Sequence, residues 1–175
     1  MKNSVAVLLI VLVVSCFGSC ESPVKQHNDL QLPKVDWSAH EWKGTAKDSL
    51  ETGSTYLPVY SEIYQRTDAY TYPLTITVSI RNISRSDTIF LENAEYYNTH
   101  GDLIRNYVKK TVFVKPMETI EIVVREDDLH GGTGANFVFD WEKTPGTVDP
   151  LFEAVMISTT GQQGLSFTTR GVRKK

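Results

Sequence analysis

The sequence predicts an antiparallel β-sandwich of seven or eight strands, displayed behind an N-terminal export signal and a flexible tether. Three observations predict it. From residue 53 onward, apolar side chains recur at every second position, the period of a strand with one buried face. Turn residues punctuate the chain at short intervals, and no helical stretch of about 10–15 residues separates the strands. The composition suits sheets, with 8 Tyr and frequent Thr.

The N-terminus justifies the signal. Lys2 precedes an unbroken apolar run from Val5 to Val14. The run is shorter than the about 20 apolar residues that cross a bilayer, and it fits the core of a signal peptide. The chain's 2 cysteines come immediately after it, Cys16 after Val13-Val14-Ser15 and Cys20 after Phe17-Gly18-Ser19. Cys16 has the stricter lipid-acceptor context. Cys20 gives the more usual signal length and leaves no odd thiol in an exported protein. The expectation is lipidation at Cys20 with Cys16 as the alternative, so residues 1–19 form a lipoprotein signal peptide.

Residues 20–52 read as the tether. Residues 21–29 are polar and aperiodic, and Pro33 interrupts the stretch beyond them. Trp37 and Trp42 are expected to pack on the domain, with the lipid headgroup layer as the alternative site.

Residues 53–171 form the sandwich. Leu74, Ile76, Val78 and Ile80 alternate with Thr75, Thr77, Ser79 and Arg81 in the clearest strand. Ile120, Ile122 and Val124 mark a second strand, and Phe137, Phe139 and Trp141 a third. Leu151 to Ile157 is apolar on both faces except for Glu153, which suits a central strand. Leu165 and Phe167 mark a final strand. Asn98-Thr99-His100-Gly101 is a four-residue hairpin turn ending in a left-handed Gly. Lys115-Pro116-Met117-Glu118, Gly131-Gly132-Thr133-Gly134, Thr144-Pro145-Gly146 and Gly161-Gln162-Gln163-Gly164 are further turns and loops. Residues 172–175 form a basic tail, by default solvated.

Composition narrows the function classes. A chain of 175 residues, less its signal, makes one domain. The formal net charge of −3 is well mixed, so no nucleic-acid partner is implied. No cysteine occurs beyond Cys20, so the domain is held by packing and hydrogen bonds alone.

Five blocks carry a family resemblance: Tyr56-Leu57-Pro58-Val59-Tyr60-Ser61, the run Leu74 to Asn82, Gly132-Thr133-Gly134-Ala135-Asn136-Phe137, Glu153-Ala154-Val155-Met156-Ile157, and Gly161 to Phe167. Together they make the chain similar, over residues 54–171, to the bacterial DUF3124 domain of uncharacterised exported proteins. The resemblance implies an envelope protein, often lipid-anchored, and brings no catalytic residues with it. The strand pattern also looks immunoglobulin-like, a likeness of fold that does not decide function.

Candidate chemistry is sparse. The Gly131–Asn136 segment lacks the helix and the Lys of a phosphate loop, so a tight inter-strand loop is the better reading. Asp127, Asp128 and His130 offer metal ligands, set against a plain solvated acidic loop. No nucleophile elbow is present. The binding candidates are Gly132, Thr133, Gly134 and Asn136 in one loop, and Gln162, Gln163, Ser166 and Arg170 in and beyond the other. Two adjacent glutamines offer donors and acceptors, and Arg170 offers a bidentate fork for a carboxylate or phosphate. Alternatively, Arg170 pairs with Glu153 or Asp140.

The expectation is therefore a lipid-anchored protein of the bacterial cell envelope, its domain outside the cytoplasm. It would act as a non-catalytic binding module for an envelope protein or small polar ligand, with no cofactor. A metal-binding protein or metal-dependent enzyme using Asp127, Asp128 and His130 is one alternative, and a structural envelope lipoprotein the other.

Overall fold

The computed structural model describes residues 35–44, 49–159 and 164–174. The expected signal, Cys16, Cys20, tether residues 20–34, and Gly161, Gln162 and Gln163 lie outside the described residues. The strands in chain order are β1 (Glu51–Pro58), β2 (Glu62–Gln65), β3 (Thr67–Pro73), β4 (Thr75–Arg81), β5 (Ile89–Tyr97) and β6 (Leu103–Asn106). They continue as β7 (Val112–Val114), β8 (Thr119–Val124), β9 (Asn136–Lys143), β10 (Leu151–Ser158), β11 (Leu165–Arg170) and β12 (Val172–Arg173), with a 3-10 turn at Leu129–Gly134.

Two antiparallel sheets face each other. The first has the order β12-β1-β9-β5-β6, with β7 also paired to β5, and the second has the order β11-β10-β4-β8. A separate hairpin joins β2 to β3. The all-β sandwich read from the sequence is the observed architecture. Seven strands of six or more residues build the two sheets, β1, β4, β5, β8, β9, β10 and β11; the short β6, β7 and β12 extend the first.

Period-two alternation makes the core. β8 alternates exposed and buried without exception, and β9 sends Phe137, Phe139, Trp141 and Lys143 inward. Inward Leu74, Ile76, Val78 and Ile80 in and beside β4 have no exposed surface. Burying one such aliphatic side chain contributes about 1.5–3 kcal/mol. Phe137, Phe139 and Phe152 stack in series across the inter-sheet space, with ring centroids 5.5 and 4.5 Å apart.

β10 departs from the sequence reading in one respect. It is central in its sheet, but only Phe152, Ala154 and Met156 of its apolar residues are buried, while Val155 and Ile157 are 38% and 41% exposed. Nothing among the described residues covers the outer face of that sheet at these positions.

β5 changes phase part-way. Ile89 and Leu91 face inward, the pairing with β9 slips between Leu91 and Asn93, and Ala94 and Tyr96 face inward thereafter. Glu92 is the extra residue of this bulge, which keeps both halves of the strand facing the core.

Residues 35–44, read as tether, lie along β7. Trp42 N–H donates to the Thr111 carbonyl at 2.9 Å, and Phe113 N–H donates to the His40 carbonyl at 2.9 Å. Trp42 sits edge-on to Phe90, 5.0 Å between ring centroids, so Phe90 is buried although it faces away from the inter-sheet core. Trp37 also packs at the domain surface, as the sequence led one to expect.

The chain changes sheets at Gly171. Gly171 N–H donates to the Phe152 carbonyl at 2.8 Å, after which β12 joins β1. A Cβ at Gly171 would lie 2.6 Å from Thr55 Cγ2, so glycine permits the close passage. The first two residues of the segment read as a basic tail are thus a strand.

Candidate functional site

Strand register brings the strand ends that flank the candidate loops to one end of the sandwich. In the first sheet Pro58, Tyr97 and Asn136 are aligned, and in the second Thr75 or Ile76, Val124, Ser158 and Leu165 lie at matching strand ends. The 3-10 turn Leu129–Gly134 spans from the second sheet to the first at this end. The β2–β3 hairpin lies there too.

The glycine run is a clamped turn. Thr99, at the β5–β6 hairpin, donates its N–H and its Oγ1 hydroxyl to the Gly131 carbonyl, both at 3.0 Å, and Thr99 Oγ1 accepts the Gly134 N–H at 2.9 Å. Ser61 N–H donates to the Gly132 carbonyl at 3.1 Å. Beneath the turn the Ser61 and Tyr96 hydroxyls are hydrogen-bonded at 2.6 Å, and burial pushes the Tyr96 phenol above its ordinary range. Gly131 packs so closely there that a Cβ would meet Tyr96 Oη at 2.1 Å. Gly132 takes a φ of +71°. Of the N–H groups that a phosphate cradle would aim at an anion, that of Gly134 is instead spent on Thr99. Thr133 and Asn136 are half-buried, and Asn136 begins β9 opposite Pro58 and Tyr97.

The acidic segment is held by arginines. Asp127 pairs with Arg125 at 2.7 Å, and Asp128 pairs with Arg105 at 3.1 Å and His130 Nδ1 at 2.8 Å. Burial alone would raise the Asp128 carboxyl; the bonds from His130 and Arg105 outweigh it and hold the group below its ordinary value. Among the described residues, no group of three or more His, Cys, Asp and Glu side chains is placed to hold a metal ion.

Ser166 and Arg170 are exposed on the outer face of β11. Arg170 is five residues along the strand from Leu165, about 17 Å from the loop end at the rise of a β-strand. Its backbone register partner is Glu153, but the arginine ion-paired with Glu153 is Arg81, at 3.4 Å. Asp140, the other partner considered for Arg170, accepts from Asn93 at 3.4 Å. The structure thus brings the Gly131–Gly134 turn and the strand ends Ser158 and Leu165 to one end and sets Arg170 well down the sheet.

The sequence reading passed over the β2–β3 hairpin. Tyr64 and Tyr70 are 61% and 68% exposed on it. Four tyrosines between residues 60 and 72 were the available signal. They were hidden because this hairpin, bulged after Tyr64, lacks clean alternation. Beside it an open groove of about 680 Å³ is lined by Pro73, Thr75, Arg125, Asp127 and Leu129.

No curated protein matches the chain. A solved structure titled "Crystal Structure of Thermotoga maritima 1070" is similar at 12% identity and a TM-score of 0.41, covering 69% of this chain and 92% of that one. The model of the family described as "Protein of unknown function (DUF3124)" matches residues 52–173, from the second residue of β1 to the end of β12, and the chain belongs to that family.

Proposed function

We propose that this is a lipid-anchored protein of the bacterial cell envelope whose sandwich is a non-catalytic binding module. Its contact surface is the end carrying the β2–β3 hairpin, the Gly132–Asn136 loop and the strand ends Ser158 and Leu165, between which Gln162 and Gln163 fall in the sequence. The observation that carries the reading is the pair of exposed tyrosines, Tyr64 and Tyr70, on a hairpin seated against the clamped 3-10 turn. Tyrosine offers a large amphipathic contact area with little rotamer freedom to lose. A fixed base beneath it lowers the ordering cost of association. The arginine pairing of Asp127 and Asp128 supports a binding role over a metal-dependent one.

Site-specific photocrosslinking in intact cells tests the surface. A crosslinker at Tyr70 is expected to give discrete adducts, and one at Pro145, exposed at the opposite end, none. Adducts of equal yield at both ends would refute the assignment. Anchoring is tested separately by the double variant Cys16→Ser, Cys20→Ser, which is expected to leave the membrane fraction. A variant that stays membrane-bound would remove the lipid anchor from the proposal.

A further inference from the structure

The outer face of the second sheet carries a dent that is separate from the loop end. It has a volume of about 290 Å³ and is lined by Ser79, Arg81, Glu153, Val155, Thr168 and Arg170 among others. Register explains the grouping: Glu153 lies between Arg170 on one neighbouring strand and Ser79 on the other, with Arg81 two residues beyond Ser79. Ser79 faces outward yet is only 5% exposed, at the floor of the dent.

The charges in this dent are incompletely matched. Two guanidinium groups face one carboxylate. Arg81 is held only by long contacts: Nη1 to Thr119 at 3.3 Å, Nη2 to Ser79 at 3.5 Å, and Nε 3.4 Å from Glu153 without the alignment of a hydrogen bond. Arg81 Nε is the one buried side-chain nitrogen or oxygen among the described residues that lacks a hydrogen-bond partner. Such an unmet donor costs more than a bond gains, and a charged donor is the costlier kind. Arg170 makes no ion pair among the described residues.

We propose that this dent binds one anionic sugar unit, a hexuronate or a sugar phosphate. Its oxyanion lies between the Arg81 and Arg170 forks, which are shaped for planar two-point contact with carboxylate or phosphate. Glu153 carries the converse requirement: a ligand must bring it a hydroxyl donor, because a bare anion would be repelled. The Ser79 and Thr168 hydroxyls complete a set suited to a polyol. The volume lies at the lower limit of small-ligand sites, the scale of a single sugar ring. The open sheet face leaves room for the unit to belong to a longer chain.

Calorimetry on the full chain at low salt tests the site, with glucuronate, glucose 6-phosphate, glucose and inorganic phosphate as probes. At least one acidic sugar is expected to bind saturably. Glucose should be at least about tenfold weaker because it lacks the oxyanion, and phosphate because its P–OH groups do not replace the array of sugar hydroxyls facing Glu153, Ser79 and Thr168. Arg170→Gln, at an exposed position, should weaken the acidic sugar about tenfold with an unchanged melting temperature. Should that variant misfold, Thr168→Val is the substitute, with a smaller loss in the same direction. Failure of both acidic sugars to bind overturns the proposal. So does glucose binding as tightly as they do, or phosphate binding as tightly, which would mark a simple oxyanion site. Full affinity retained in a folded Arg170→Gln also overturns it. None of these outcomes bears on crosslinking at Tyr70, so the two sites are judged independently.

Discussion

Trp141 explains why the third position of β1 has no side chain. Gly53 is its register partner, and a Cβ there would lie 2.2 and 2.3 Å from two atoms of the indole ring. The ring cannot retreat: it is 1% exposed, its Nε1–H donates to Thr55 Oγ1 at 2.9 Å, and the Arg173 guanidinium lies 5.2 Å from its centre. Gly53→Ala is therefore an overpacking substitution and is expected to cost about 2 kcal/mol in urea unfolding. Gly101→Ala is the contrast. Nothing lies within 4 Å of its added methyl group, so the cost comes only from a φ of +86°, about 1 kcal/mol. A Gly53→Ala cost no larger than that of Gly101→Ala would mean that the indole ring is free to move. Gly101 was readable from the sequence, because a hairpin turn announces its left-handed residue. Gly53 was not, since its requirement comes from a ring 88 positions away. Met117 marks the same limit: the turn at Lys115–Glu118 was readable from Pro116, but the positive φ of 62° falls on Met117.

Among the elements, residues 35–44 differ most from their sequence reading. Without them Phe90 would be an exposed aromatic side chain on the outside of the first sheet. With them it is 2% exposed, and β7 gains hydrogen bonds along an otherwise open edge. Covering an edge also removes a template for unwanted strand pairing. His40 adds a polar contact, its Nε2 3.0 Å from Glu118 Oε1, and Lys110 pairs with Glu41 at 2.6 Å. Trp42→Ala is expected to destabilise the domain by about 2 kcal/mol and to release this segment to protease before global unfolding. Protection equal to that of the parent chain would show that the backbone bonds alone hold it. The segment was unreadable as structure because its two tryptophans obey no period; they serve a partner strand remote in sequence. By the same logic the long strands β4, β8 and β9 were legible, since one buried face imposes strict alternation. The loop end was legible from its glycines. Short β6 and β7, the bulged β5 and the tyrosine hairpin carry too few alternations to stand out. The sugar dent depends on register across three strands, which no single stretch of sequence encodes.

At the scale of the molecule, each boundary of the sandwich is closed by a different device. One side closes where the chain passes from β11 to β12 at Gly171. On the other, buried Asn82 donates from Nδ2 to the Asp87 and Val114 carbonyls at 2.7 and 2.9 Å, tying the second sheet to the first. The loop end is closed by the Thr99 clamp. The opposite end is closed by charges: Lys143, inward by the phase of β9 and with a side chain 5% exposed, meets Glu51 at 2.9 Å and Asp149 at 3.3 Å. Arg173 bonds the same two carboxylates at 3.0 and 2.7 Å. Burial alone would lower the Lys143 amine; its bonds to Glu51 and Asp149 outweigh that and hold it above its ordinary value. The Glu51 carboxyl is held below its ordinary value by Lys143 first and Arg173 second. A raised amine contributes stability that is complete below its unfolded value, about 10.4, and is lost as the pH climbs through the folded value. A depressed carboxyl contributes above its unfolded value, about 4.3, and is lost as the pH falls. Lys143→Met, which keeps the length and removes the charge, should therefore cost about 1–3 kcal/mol at pH 7, less than breaking a fully buried pair because Arg173 remains. The gap between parent and variant should be level from about pH 6 to 9 and narrow beyond about pH 10.4 and below about pH 4.3. Urea unfolding of both proteins across that range measures it. A gap independent of pH would make Lys143 a matter of packing and of its hydrogen bond to the Thr147 carbonyl, with its ion pairs contributing nothing to closure of that end.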